Sequence, residues 1–162
     1  MNAIELLIDQ HRLLEARLEA ALLTTQPLAR AALLAQIGDH LAVHIASEEE
    51  VFYPAVKASR TEDILLESLE EHLSLKRLLA DLLDLPPYAH TYEAKLKVLK
   101  EQTEHHHREE EEHLFPKVQK IWDPQQLEAL GRQMVRLQQQ LRTQGEPREA
   151  MAEQTGEAAR LA

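Results

Sequence analysis

Two stretches of the chain, HLAVHIASEEEVFYPAV at 40–56 and QTEHHHREEEEHLFPKV at 102–118, carry the same set of cation-binding groups. In the first, His44 and Glu48 are four residues apart, so on a helix they lie one turn apart on one face. His106 and Glu110 repeat that spacing in the second, and each His stands ten residues before a proline, Pro54 or Pro116. Such a pair offers one nitrogen and one oxygen donor to whatever the face turns towards. A carboxylate on an inward face is costly unless it is paired or metal-bound. Neither stretch puts a Lys or Arg on that face, and Lys76 is the only nearby candidate. Two such pairs in one small chain are therefore read as each other's partners, with metal between them.

A single upstream histidine precedes each pair, His11 by 33 residues and His72 by 34. Aligning 44–56 with 106–118 also matches Glu49 with Glu111, Glu50 with Glu112 and Val56 with Val118. Two helical hairpins related by a pseudo-twofold axis would close into an antiparallel, up-down four-helix bundle, with six inward polar residues meeting near mid-height. Within the triplet, His105, His106 and His107 all have a Glu four residues on. The distance to Pro116 and the Leu96–Leu99–Thr103 seam select His106 and Glu110, turning His105 and His107 about 100° to either side. Alone, His11 or His72 reads as a hydrogen-bonded core residue and the Glu109–Glu112 run as a solvated face. The matched combination is what points to metal: His11, His44, Glu48, His72, His106 and Glu110.

The elements that must position these groups are helices. The 162 residues are 44% apolar but only 4% aromatic, with four glycines, a balance that favours long helices over sheets. The first helix is expected over 3–23, with Ile4, Leu7, Ile8, Leu14, Leu18 and Leu22 as its stripe and His11 in the middle. The second runs from Pro27 to about Lys57 on the seam Ile37, Leu41, His44, Glu48, Val51, Ala55, with a kink expected at Pro54. The third is capped by Ser59, with Glu62 completing a capping box, or by Thr61, and ends at Pro86–Pro87. Its seam is Leu65, Leu69, His72, Leu75 or Lys76, Leu79 and Leu82. The fourth starts near Thr91, and Asp123–Pro124 opens a fifth. That fifth helix carries Leu127, Leu130, Met134, Leu137 and Leu141, a stripe for covering the bundle or for pairing two subunits as a homodimer. The expected organisation is a bundle over 1–122, an additional C-terminal helix over 123–142, and a mobile tail over 143–162 with no periodic apolar face. His40 and His113 are expected to line the edge of the pocket or to bind water.

Composition also excludes functions. There is no cysteine, so disulfides, thiol catalysis and thiolate metal sites are out, and His with carboxylate ligands suits iron, manganese or zinc. A net charge of −10 with no basic block argues against nucleic acid and anionic membrane as partners. No stretch reaches about 18 uninterrupted apolar residues, and the start lacks the pattern of a secretory signal, so a cytoplasmic location is the expectation.

The single His, then H-I-A-S-E, then His72, then H-H-R-E-E resembles the hemerythrin-like, or HHE cation-binding, domain family over about residues 5–120. The resemblance implies a non-haem di-iron centre, two iron ions in a hemerythrin-like bundle. On that pattern His11 and His44 bind one iron, His72 and His106 the other, and Glu48 and Glu110 bridge. Oxygen-carrying hemerythrins have a further His one turn along the third helix, where this chain has Ser68 and Lys76. That departure implies a more open iron or a substitute ligand, and favours redox chemistry, sensing or iron handling over reversible oxygen carriage. The expected small-molecule ligands are O2, peroxide or NO. The leading expectation is catalase- or peroxidase-like consumption of oxidant under oxidative stress. The alternative is sensing of iron, O2 or NO, or iron storage and donation without turnover. Glu49, Glu71 and Tyr53 are expected to hydrogen-bond the ligands. A zinc site on His40 and His44 is a poor match, because Leu41 stands where the usual zinc helix has Glu. Ferritin-like bundles use Glu-x-x-His, the reverse order.

Overall fold

The computed structural model describes all 162 residues as six helices without strands. Helix α1 spans Ala3–Leu23 and opens on a capping box. Asn2 Oδ1 accepts the Glu5 N–H at 2.9 Å, and the Glu5 carboxylate accepts the Asn2 N–H at 3.3 Å. Only Thr24–Gln26 separate it from α2 (27–55), so the two must run antiparallel. Pro27 takes the first helical position, where its missing N–H costs nothing. Helix α3 is Glu62–Asp84, α4 covers 92–121, α5 is Pro124–Thr143 and α6 is Pro147–Ala152. Helix α1 lies against α2 and α4, and α3 lies against α4 and α2, which closes the up-down four-helix bundle. No helix is long and apolar enough to cross a membrane.

Both HxxxE helices change pitch at their glutamates. After Ser47, residues Glu48–Phe52 form a wide π turn, and Tyr53 N–H reaches back five residues to the Glu48 carbonyl. The same happens over Glu110–Leu114, where Phe115 N–H bonds the Glu110 carbonyl. Pro54 and Pro116 explain why. Each lacks an N–H and crowds the carbonyl four residues before it, and the wider turn just upstream relieves that clash without ending the helix. The kink expected at Pro54 thus takes the form of a π turn, and Pro116 repeats it.

The core divides into two apolar clusters with the polar layer between them. One holds Leu14, Leu18, Ile37, Leu41, Leu75, Leu79, Leu96 and Leu99. The other holds Leu7, Phe52, Val56, Leu65, Leu69, Leu114, Phe115 and Val118. Along each bundle helix the chain passes from one cluster to the other across a histidine: Leu7–His11–Leu14, Leu41–His44–Phe52, Leu69–His72–Leu75 and Leu99–His106–Leu114.

Three local expectations need correction. Of the two expected caps, Thr61 and not Ser59 takes the N-cap position of α3, and its side chain makes no cap bond to the helix. Instead the Thr61 hydroxyl donates to the Val56 carbonyl at 2.7 Å and accepts the Ala58 N–H at 2.9 Å, which closes the loop. Helix α5 covers α1 and α2 with Leu127, Leu130, Gly131, Met134 and Gln138 buried, while Leu137 and Leu141 are only partly covered. Close approach explains Gly131, since a Cβ there would lie 2.6 Å from the Met1 carbonyl oxygen. The expected mobile tail over 143–162 is in part a packed structure. Helix α6 docks on α2 and α3, buries Met151 in the first cluster, and ties Arg148 to Asp39 through its N–H and guanidinium, both at 3.0 Å. Ala158, Ala159 and Leu161 then pack against the second cluster. One buried methionine in a six-residue helix leaves no period to read in the sequence.

Candidate metal centre

The bundle brings all six expected residues into one layer, each 2% exposed or less. Glu48 Oε1 lies 3.4 Å from His44 Nε2 and 3.2 Å from His72 Nε2, so it faces rings from both halves of the repeat. Glu110 does the same, with Oε1 at 3.2 Å from His11 Nε2 and 3.4 Å from His106 Nε2. Donor atoms of His11, His44, Glu48 and Glu110 all lie within 4.8 Å of one another, as do those of Glu48, His72 and His106. Tyr53 enters beside the second group. Its hydroxyl donates to Glu110 Oε2 at 2.8 Å and sits 3.3 Å from His72 Nε2.

Each ring is held from outside through Nδ1. His11 Nδ1 bonds Glu111 at 2.8 Å, His72 bonds Glu49 at 2.9 Å and His106 bonds Glu71 at 2.8 Å. His44 bonds the Gln10 amide oxygen at 2.9 Å. These partners obey the pseudo-twofold too: Glu49 and Glu111 follow the paired glutamates, and Gln10 and Glu71 precede the single histidines. With Nδ1–H donated outward, the lone pair of each Nε2 points to the centre, which is the tautomer a metal ligand needs. The holders are themselves anchored. Buried Lys76 donates to Glu49 at 2.9 Å, and Gln10 donates to Gln138 of α5 at 2.7 Å. Glu49, Glu71 and Tyr53 stand where the sequence put them. Glu111, Gln10 and Gln138 were not anticipated, although a glutamine four residues after Met134 on an apolar stripe is a signal.

The inner atoms lack what the outer ones have. His11 Nε2, His44 Nε2, Glu48 Oε2 and Glu110 Oε1 are buried without a hydrogen-bond partner. Four orphaned polar atoms in one layer would each cost about 1–3 kcal/mol, and a cation would satisfy all of them at once. Charge points the same way. Burial and then the neighbouring Glu110 raise the Glu48 pKa. Burial also opposes charge on Glu110, but the His106 and His11 rings outweigh it and hold that carboxyl well below the usual range. Burial works against charging His11, His72 and His106, yet the carboxylates around them raise all three. His44 is lowered well below the ordinary value by burial and then by the rings of His11 and His107. The layer demands positive charge, and mutually repelling rings are a poor way to supply it.

The remaining histidines meet expectation only in part, with His105 turned out of the layer as its register requires. His105 and His113 are exposed. His40 is not at a pocket edge but 3% exposed, with Nδ1 accepting a long bond from Arg17 at 3.4 Å. His107 is the residue the sequence missed. Its ring is 2% exposed and stacks on His11 with centroids 3.7 Å apart, and its Nδ1 bonds Glu15 at 2.6 Å. Burial lowers its pKa to about 4, so the ring is neutral at pH 7.

Comparison with known proteins gives two matches. Residues 2–118 match the profile of the hemerythrin HHE cation binding domain. The fold is similar to the crystal structure of a hemerythrin HHE cation binding domain-containing protein from Mycobacterium kansasii, with a TM-score of 0.81 and 24% identity, covering 94% of this chain and 98% of that chain. A search of curated protein sequences finds no match.

Proposed function

Because the chain belongs to the hemerythrin HHE cation-binding domain family, we propose that its polar layer is a carboxylate-bridged, non-haem di-iron centre that consumes peroxide and also binds O2 or NO. His11 and His44 would hold one iron and His72 and His106 the other, with Glu48 and Glu110 supplying carboxylate oxygens between them. The observation that carries this reading is the set of orphaned atoms, His11 Nε2, His44 Nε2, Glu48 Oε2 and Glu110 Oε1, which need cations and face one another. Nitrogen and carboxylate donors without sulfur suit iron among the redox metals. Bound iron would supply electron transfer and an open coordination position.

The chain's own residues do the rest. The outer carboxylates fix the ring orientations before anything binds, so no ordering is needed at the moment of loading. The two apolar clusters seal the layer from both ends and keep bulk water from the centre. Tyr53 supplies a hydrogen-bond donor at its hydroxyl. Burial, and then Glu110 and Glu48, raise that phenol well above its ordinary pKa, so it stays protonated. It can donate to an oxygen ligand as it now donates to Glu110 Oε2.

The test is to load purified protein anaerobically with ferrous iron, measure the metal content, then add hydrogen peroxide and follow oxygen. About two irons per chain with steady oxygen evolution is the expected result. One iron, or zinc in preference to iron, overturns the di-iron reading. Two irons without turnover overturns peroxide consumption and leaves a sensor or an iron store.

A further inference from the structure

The pseudo-twofold that relates the halves of the metal layer is broken at several positions, three of which set the chemistry beside the rings. His107 on α4 corresponds to Ile45 on α2, Glu15 on α1 corresponds to Lys76 on α3, and Phe115 corresponds to Tyr53. The two sides are therefore chemically different. On the side of His72 and His106 stands a phenol, Tyr53, whose ring stacks on His72 with centroids 5.4 Å apart. On the side of His11 and His44 stands a fifth imidazole. Nitrogen atoms of His11, His44 and His107 lie within 4.8 Å of one another, and all three rings are buried.

His107 has the same preparation as the four rings assigned above. Its Nδ1 is committed to Glu15 at 2.6 Å, a carboxylate that also takes a hydrogen bond from Arg12. That leaves Nε2 uncommitted, the same nitrogen that His11 and His44 keep free of hydrogen bonds. Glu15 replaces the lysine found at the matching position of the other half, so both the ring and its holder are changed together. A residue that merely filled space beside His11 would need neither a nitrogen nor a carboxylate anchor.

We propose that His107 is a third imidazole ligand for the cation held by His11 and His44, which makes that position rich in nitrogen and its neighbour, beside Tyr53, rich in oxygen. This rests on the reading of the layer as a two-cation site. It predicts that the two cations differ in lability, and that His107 governs only one of them.

The experiment compares iron release to a ferrous chelator in the wild-type chain, His107→Phe, His107→Ala and the exposed control His105→Ala, followed by metal content and by the absorption spectrum. Phenylalanine keeps a flat ring on His11 and removes the nitrogen. Wild type and His105→Ala should hold two irons. His107→Phe should lose one of the two at least about tenfold faster, the scale of a weakened ligand set, and keep the other. Millimolar imidazole should slow that loss in His107→Ala. If His107→Phe releases both irons at the wild-type rate, or imidazole has no effect on folded His107→Ala, the ring is a stacking partner and the proposal is overturned. A wild-type chain that never takes up two irons overturns the two-cation reading itself, which is a separate outcome.

Discussion

A buried imidazole can be kept neutral or made to carry charge, and this bundle contains both kinds. His40 is of the first kind: burial, then Arg17 and Arg142, lower its pKa to about 4 from 6.5. The folded value lies below the unfolded one, so the unfolded chain binds more protons between those limits. The contribution of this residue is complete above pH 6.5 and is lost as pH falls towards 4, amounting to roughly 3 kcal/mol over that window. His40→Gln, which can still accept from Arg17, should unfold in urea at a midpoint that falls less between pH 7 and pH 4.5 than the wild-type midpoint does. Equal slopes would show that His40 is not held neutral by the fold. Among the rings held from outside, His106 depends on Glu71 at 2.8 Å, while Glu70 next to it is exposed. Glu71→Ala should weaken iron binding by about 10–100-fold, and Glu70→Ala should leave it unchanged in the same chelator competition.

At the scale of elements, α5 is where backbone meets backbone. The Cβ of Gly131→Ala would meet the Met1 carbonyl oxygen at 2.6 Å and the Ala3 nitrogen at 3.0 Å, and neither can rotate away. Alanine gains about 1 kcal/mol of helix propensity over glycine, but forcing apart two packed backbones costs about 1–3 kcal/mol. The variant should therefore be less stable by urea titration, and an unchanged or higher midpoint would mean that α5 shifts freely on α1. This helix also shows what the sequence could and could not tell. Its stripe was legible as far as Met134, because apolar residues recur at helical spacing. Beyond that the partner is polar, and Gln138 takes the buried position that Leu137 was expected to hold. His107 was lost for a related reason. One inward residue per turn was assigned to α4, but α4 touches both α1 and α3, so its buried arc is wide enough to hold His106 and His107 side by side. His44, Glu48, His106 and Glu110 were legible because the repeat states the same spacing twice. Helix α6 was not, because one methionine has no period.

At the scale of the whole molecule, the polar layer divides the core, and neither apolar cluster is continuous across it. Stability of the bundle therefore depends on what satisfies the four orphaned atoms of that layer. A cation binds the assembled layer and not the dispersed ligands of the unfolded chain, so it stabilises by mass action, about 2.7 kcal/mol at a hundredfold excess over its Kd. For a chain of this size each kcal/mol moves the melting temperature by about 2–4 °C. Iron-loaded protein should then melt roughly 5–10 °C above the iron-free form at that excess, and more at higher iron. Glu48 and Glu110 each face rings from both halves of the repeat, so both are needed to gather cations between the hairpins. Replacing both with Gln should remove the iron-dependent rise while the far-ultraviolet circular dichroism stays helical. If the double variant still gains stability from iron, the cations bind elsewhere and the layer is not their site. If even the wild-type chain melts at one temperature with and without iron, the buried carboxylates are balanced by the ring charges alone, and the di-iron function falls with them.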